Sequence, residues 1–311
     1  MDLSVIIPCY NEEESISELH KRVLSSCENA DIKTFEIIFI NDGSTDNTLK
    51  ILQELHKLDP HIVIIDLSRN HGQQLALSAG LHHATGDYIF LLDADLQDPP
   101  ELLQPMLDKA RTGVDVVYGK RKERKGETWL KLATSKLFYK TLSFLSDTDI
   151  PENVGDFRLI TKRVKDHVVS MPEQHRYVRG MISWVGFTQE EFLYERDARF
   201  AGETKWSFGK LLHFSVDAIS SFSIRPLRIS LLFAFIGCII AAGLAMYAIY
   251  GYYFKNPISG WASLATIITF FSSLQLICIG VIGEYVGRAY MQGKNRPLFI
   301  IRDIYETNSK N

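Results

Sequence analysis

Cysteine is scarce in this chain of 311 residues, and its four copies fall where they cannot form a framework. Cys9 and Cys27 lie in the mixed N-terminal part and Cys238 and Cys278 in long apolar runs, so neither a disulfide network nor a zinc pattern emerges. Net charge is nearly absent as well: 34 Lys plus Arg against 37 Asp plus Glu leave −3, which gives nucleic-acid binding no compositional support. The nine histidines show no metal-ligand spacing, and His82 and His83 read as structural. There is no internal repeat and no low-complexity segment. Met1-Asp2 leads straight toward a strand, without the basic stretch and cleavable apolar region of a signal peptide, so the bulk of the chain is expected to stay in the cytoplasm.

The most telling absence is charge in two long stretches. No charged residue occurs from Ile229 to Phe254, and none from Asn256 to Gly283. Each run exceeds the roughly 20 residues needed to cross a bilayer's hydrocarbon core. Arg225 and Arg228 precede the first run, Arg288, Lys294, Arg296 and Arg302 follow the second, and the connector holds only Lys255. That bias predicts both flanks on the cytoplasmic side of a membrane and the connector outside, with membrane lipids as constant partners. The expected layout is a catalytic-type domain over 1–205, a juxtamembrane segment over 206–225, spans over 229–254 and 260–284, and a cytoplasmic tail over 285–311. In the juxtamembrane segment Phe208, Leu211, Leu212, Val216, Ile219 and Phe222 recur at helical spacing, which suits packing on the domain or resting in the lipid interface.

What is present in the first 205 residues is alternation. Segments 3–7, 35–40, 62–67, 88–92 and 114–118 are short and rich in β-branched or aromatic residues, and helix-like stretches 12–26, 46–57 and 72–84 separate the first four. This pattern predicts an α/β domain with a mostly parallel, Rossmann-like sheet covered by helices on both faces. Ligands of such sheets bind beyond the carboxyl ends of the strands. Three polar loops fall there: Pro8 to Glu12, Asn41 to Asp46, and Asp93 to Asp98.

The third loop carries the chemistry. A buried strand ends in Asp93-Ala94-Asp95-Leu96-Gln97-Asp98, and two prolines then start a helix. Paired carboxylates at a strand end suit a hard divalent cation, Mg²⁺ or Mn²⁺, that keeps open positions for phosphate oxygens. Asp93, Asp95 and Gln97 alternate, so an extended chain aims them to one side, with Asp95 as the direct metal ligand. In the second loop Asp42 is placed to accept a hydrogen bond from a nucleotide base, with Tyr10 and Glu12 completing the pocket; a plain turn capping the next helix would look the same. Lys120, Arg121, Lys122, Arg124, Lys125 and Lys131 form a basic run after a strand, from which Arg121 can reach the active end of the sheet. Arg179, Arg199 and Lys205 are further cations suited to phosphate. Asp156, in Gly155-Asp156-Phe157-Arg158, is a candidate base, unless it is held in a structural pair with Arg158.

These motifs together resemble family 2 glycosyltransferases of the GT-A fold, and more narrowly the polyprenyl-phosphate glycosyltransferases: bactoprenol glucosyltransferases and dolichol-phosphate mannosyltransferases. The carriers are residues 5–13 (Val-Ile-Ile-Pro-Cys-Tyr-Asn-Glu-Glu), 41–44 (Asn-Asp-Gly-Ser), 69–72, 93–101, 153–158, 202–207 and 283–288 (Gly-Glu-Tyr-Val-Gly-Arg). The resemblance implies that Pro8, Tyr10, Glu12 and Asp42 surround the nucleotide. Asp93, Ala94, Asp95 and Gln97 would take the metal and diphosphate, and Arg199 and Lys205 would close on the donor. Arg121, with Lys131, Ser135 and Arg179, would receive the acceptor phosphate.

The expected reaction moves a hexose, glucose from UDP-glucose, to undecaprenyl phosphate with inversion, for use in cell-envelope glycans. UDP-N-acetylglucosamine, UDP-galactose and GDP-mannose stand as alternative donors. A processive polysaccharide synthase would call for more spans and an acceptor motif this chain lacks, and a non-catalytic flippase partner would not call for three intact acids. A homo-oligomer is compatible with the sequence.

Overall fold

The computed structural model describes residues 1–121, 154–195, 225–254 and 260–306. Lys131, Ser135, Arg199, Lys205 and the juxtamembrane stretch 206–222 lie outside the described residues.

Eight strands form one sheet: β1 (Leu3–Cys9), β2 (Phe35–Asn41), β3 (Ile62–Leu67), β4 (Tyr88–Leu91), β5 (Val116–Arg121), β6 (Val154–Thr161), β7 (Gln189–Tyr194) and β8 (Ile301–Tyr305). Their order is β7-β5-β6-β4-β1-β2-β3-β8. The central block β4-β1-β2-β3 is wholly parallel. β6 runs antiparallel between β4 and β5, and β8 antiparallel to β3. The mostly parallel sheet anticipated from the alternation is therefore present, with antiparallel members added on both sides.

Sequence explains the central strands simply. β1 reads Leu-Ser-Val-Ile-Ile-Pro-Cys, the near-continuous apolar run of a strand covered on both faces. Side chains alternate, so Val5 and Ile7 join one core and Ile6 the other. On the first face lie α1 (Ile16–Asn29), α2 (Thr48–Leu58) and α4 (Leu103–Arg111); on the second lie α3 (Gln73–His83), α5 (Lys162–Ser170) and α6 (Val178–Trp184). α1 buries Ile16, Leu19, Val23 and Cys27, an apolar stripe at helical spacing. Phe39 in β2 is completely buried, and truncating such a ring to Ala costs about 3–5 kcal/mol.

Two long helices follow, α7 (Arg225–Phe254, 30 residues) and α8 (Trp261–Gly293, 33 residues). At a rise of about 1.5 Å per residue each is longer than the roughly 30 Å hydrocarbon core. Their apolar windows, Leu227–Tyr247 and Thr266–Gly293, are unburied by protein. An apolar surface of this extent requires a non-aqueous surrounding, and both helices are candidate membrane spans.

Within the stretch expected as a cytoplasmic tail, the described residues 285–306 extend a helix and add a strand. α8 continues to Gly293, and β8 returns to pair with β3 at Ile65↔Ile304 and Asp66↔Asp303. At the end of α8, Gln292 accepts from the Gln174 amide (2.9 Å) and donates to the Pro172 carbonyl (2.7 Å). The Gln174 side chain in turn donates to the Arg296 carbonyl (2.7 Å). A five-residue edge strand with two adjacent charges carries too little periodicity to be read in sequence.

Candidate active site

Because β4, β1 and β2 are parallel neighbours, the loops after them open on one edge of the sheet. β6 starts at that edge, and its Arg158 pairs with Leu91; β5 ends there with Arg121. The topology thus brings Asp42, Asp93, Asp95, Arg121 and Asp156 to one side.

The half built on β1 and β2 is tied together by its own hydrogen bonds. The Asn11 amide donates to Ser44 Oγ (3.0 Å), and the Thr45 amide donates back to Asn11 Oδ1 (2.8 Å). The Glu12 amide donates to Thr48 Oγ1 (2.9 Å), and the Glu12 carboxylate accepts from Ser15 Oγ (3.3 Å). Tyr10 stands exposed beside this knot, and Pro8 is half-buried.

Asp42, almost wholly buried, accepts the amides of His71 (2.7 Å) and Gly72 (2.9 Å) just before α3. Burial raises its pKa and the two amides oppose that, leaving it above the usual carboxylate value. Asp42 therefore clamps the loop after β3, a role that sequence did not assign to it. Gly43, at φ +65°, makes the approach possible: a Cβ there would stand 2.5 Å from the backbone of Arg69 and Asn70.

The half built on β4 and β6 is dominated by charge. Asp93 accepts from Gln73 Nε2 (2.8 Å). Asp156 accepts from Gln74 Nε2 (3.2 Å) and from Arg179 Nη2 (3.2 Å), with Gln73 Nε2 at 3.5 Å. The pair anticipated between Asp156 and Arg158 is replaced by Asp156–Arg179, while buried Arg158 donates to the Gly155 carbonyl (2.9 Å). Burial, and then the neighbouring Arg179, pull the Arg158 guanidinium down to about 10. For Asp156, burial acts upward but the Arg179 and Arg158 charges outweigh it, so its pKa is lowered. Asp93 goes the other way: burial and then the charges of Asp156, Asp98 and Asp95 push it up to about 8.

The acidic loop is not extended, which corrects the expected alternation. It turns at Ala94-Asp95, and Leu96 takes φ +58°. Ala94, Leu96, Gln97 and Asp98 are buried, while Asp93 and Asp95 remain partly accessible. Burying Ala94 and Leu96 in the core anchors the turn, and Asp95 Oδ1 accepts the Gln97 amide (3.1 Å). Asp98 accepts from Tyr194 Oη (2.5 Å) and lies 3.9 Å from Arg121, whose Nε donates to the same Tyr194 Oη (3.3 Å). Arg121 is thus at the active edge, oriented from β7.

Gln73, Gln74, Tyr194 and the role of Asp98 escaped the sequence reading. The one available signal was a pair of glutamines opening a helix at the strands' carboxyl side.

A divalent cation fits this half. Asp93 sits among the charges of Asp156, Asp98 and Asp95, opposed by those of Arg179 and Arg121, and a cation would offset the acidic excess. Among the described residues no three His, Cys, Asp or Glu form a ready cage. An ion here would be held by one or two carboxylates and completed by water and substrate phosphates.

Comparison with known proteins bears on the same edge. An uncharacterized glycosyltransferase of Synechocystis sp. is 43% identical over 310 residues, covering 98% of this chain and 96% of its own length. Another, of Bacillus subtilis, is 42% identical over 311 residues, covering 99% and 95%. A prophage bactoprenol glucosyl transferase homolog of Escherichia coli is 40% identical over 310 residues, covering 98% and 99%. The family model described as glycosyl transferase family 2 matches residues 4–168, the stretch that builds the central strands and all three polar loops. With its GT-A-type sheet, its acidic loop after β4 and this likeness along almost its whole length, the chain belongs to glycosyl transferase family 2 and is a glycosyltransferase.

Proposed function

We propose that this enzyme transfers one hexose, glucose from UDP-glucose, to undecaprenyl phosphate at the cytoplasmic face of the membrane, with inversion at the anomeric carbon. One observation carries the reading: Gln73 bridges Asp93 and Asp156 beside Gln74 and Arg179, on a chain that also carries two membrane-length apolar helices. The bactoprenol glucosyl transferase name of the Escherichia coli relative supports the donor sugar and the lipid class.

In this reading the turn at Asn41–Ser44, with Pro8, Tyr10 and Glu12, receives the uridine, while Arg199 and Lys205 close on the diphosphate. Asp95 and Asp93, with Gln97 nearby, would hold Mg²⁺ or Mn²⁺, which when bound supplies charge neutralisation for the departing diphosphate. An acceptor phosphate oxygen forms the bond to the anomeric carbon as the bond to the UDP oxygen breaks, and UDP takes the electron pair. Arg179 and Arg121 receive the acceptor phosphate, with Lys131 and Ser135 as further contacts. A phosphate monoester, with its second pKa about 6, is already largely ionised near neutral pH. Asp156, paired with Arg179 and kept ionised, therefore orients that arginine rather than removing a proton. Positioning and electrostatic complementarity supply the rate.

The test is a membrane assay with labelled UDP-glucose and polyprenyl phosphate. Asp95→Ala is expected to abolish lipid-linked product, with one sugar per lipid in the wild type. Undiminished turnover in that variant would reject the metal role, and a preference for another nucleotide sugar would reject the glucose assignment.

A further inference from the structure

β8, the strand that follows the second apolar helix, sits at the sheet edge next to β3, away from the acidic half. Its contacts nevertheless run directly into the turn that the proposed function assigns to the nucleotide. Arg302, on β8, places Nη1 3.4 Å from Asp66 Oδ2 and donates from Nη2 to the Ser68 carbonyl (2.8 Å). The Ser68 amide donates to the Ile300 carbonyl (2.9 Å), so the start of the loop after β3 is held from both sides by the returning chain.

Asp66 is buried in β3, at the point where its register with β8 shifts. Its Oδ1 accepts from Asn41 Nδ2 (2.7 Å). Asn41 Oδ1 accepts the Ser44 amide (3.3 Å), and Ser44 Oγ accepts the Asn11 amide (3.0 Å). A continuous series of polar contacts therefore runs from Arg302 through Asp66 and Asn41 to the loops after β2 and β1. The same turn locks onto the Ser68–Gly72 loop a second time through Asp42, which clamps His71 and Gly72.

We propose that Asp66 and Arg302 are positioning residues for the nucleotide donor: from outside the pocket they fix the Asn41–Ser44 turn and the Ser68–Gly72 loop in the shape that receives it. The physical reason is that a buried carboxylate with one amide partner and one guanidinium partner has a single satisfied arrangement. Removing the carboxylate frees the Asn41 amide, and with it the turn. Removing Arg302 releases Ser68 and leaves Asp66 with Asn41 alone among these two partners.

This inference rests on the assignment of the turn to the donor, and the experiment separates the two. UDP affinity by titration calorimetry is measured alongside KM for donor and for lipid in Asp66→Ala, Asp66→Asn and Arg302→Ala. Asp66→Ala is expected to raise the donor KM and the UDP Kd about 10-fold and Arg302→Ala about 3-fold, with kcat and the lipid KM within about twofold. Asp66→Asn, which keeps an oxygen acceptor for Asn41, is expected to recover most of the loss. If UDP affinity and donor KM stay within about twofold of wild type in folded Arg302→Ala and Asp66→Ala, the inference falls. It falls equally if donor and lipid KM rise together. If Asp66→Ala does not fold, Arg302→Ala and Asp66→Asn decide alone. A wild type that binds UDP but glycosylates no polyprenyl phosphate would sink the proposed reaction and leave the calorimetric test of positioning intact.

Discussion

The two halves of the active edge solve opposite problems. Around Asn41–Ser44, polar groups are satisfied by the chain itself, side chain to backbone, across β1, β2 and the loop after β3. Around Asp93 and Asp156, carboxylates crowd together with too little positive charge, and Asp93 is driven up to about 8. The first half is a preformed mould whose shape is paid for during folding. The second is an acidic cluster that, under the proposed function, a cation and a phosphate would complete. Under the proposed function the contrast assigns base and ribose to fixed geometry, and diphosphate and lipid phosphate to charge.

The sharpest way to break this comparison is to remove the charge partner in the acidic half. Arg179→Ala strips Asp156 of its ion pair and removes a proposed acceptor-phosphate contact, and is expected to lower kcat/KM for lipid acceptor about 100-fold, about 2.7 kcal/mol of transition-state stabilisation. Folding should persist, judged by an unchanged circular dichroism spectrum. An equal loss in UDP affinity would show that the halves are not separate.

Removing divalent cations comes next. Chelation should stop turnover and addition of Mg²⁺ or Mn²⁺ should restore it, whereas Asp95→Ala should not be restored at any cation concentration. Turnover that survives chelation would contradict the cation-completed half.

In the preformed half, Gly43→Ala drives a Cβ into the Arg69–Asn70 backbone at a left-handed position. A stability loss of about 1–3 kcal/mol in denaturant unfolding is expected, together with weaker UDP binding. Weaker lipid binding without weaker UDP binding would reverse the assignment of the halves. Gln73→Ala, which removes the amide on Asp93, should produce a smaller effect, a rise of about 10-fold in KM without loss of fold.

The smallest effect belongs to a control outside both halves. Asp59 is buried between His20 (2.7 Å) and His61 (2.8 Å). Burial alone would raise its pKa, but the hydrogen bonds from His20 and from the His61 amide and ring outweigh it, and the value is lowered. A lowered carboxylate stabilises the fold above its unfolded pKa of about 3.9, and that contribution disappears as pH falls through the folded value. Asp59→Asn should therefore cost stability at pH 7 and progressively less below about pH 4, seen as converging Tm values, with UDP and lipid binding untouched at pH 7.

Much of this arrangement was legible in sequence, because burial on both faces leaves a clear mark. The runs at 3–7, 35–40, 62–67 and 88–92 became β1 to β4 with shifts of two residues or fewer at their ends. Once parallel order is known, the carboxyl-end rule places Asp42, Asp93 and Asp95 together. Asp156 and Arg121 were legible as acid and base beside strands. Their partners were not: Asp156 met Arg179, distant in sequence, and Arg121 met Tyr194 and Asp98. Gln73 and Gln74 were invisible because a glutamine at a helix start is ordinary until a carboxylate from another strand arrives opposite it.

The sequence by itself determined which strands are buried, where two long uncharged runs lie, and which loops carry acids, since each depends on local composition and period. Only the tertiary structure decided that β8 returns to β3, that Asp42 grips the loop before α3, and that Arg179 rather than Arg158 forms the ion pair with Asp156. Those outcomes depend on strand order and on distances between residues far apart in the chain, and no local pattern of side chains encodes them.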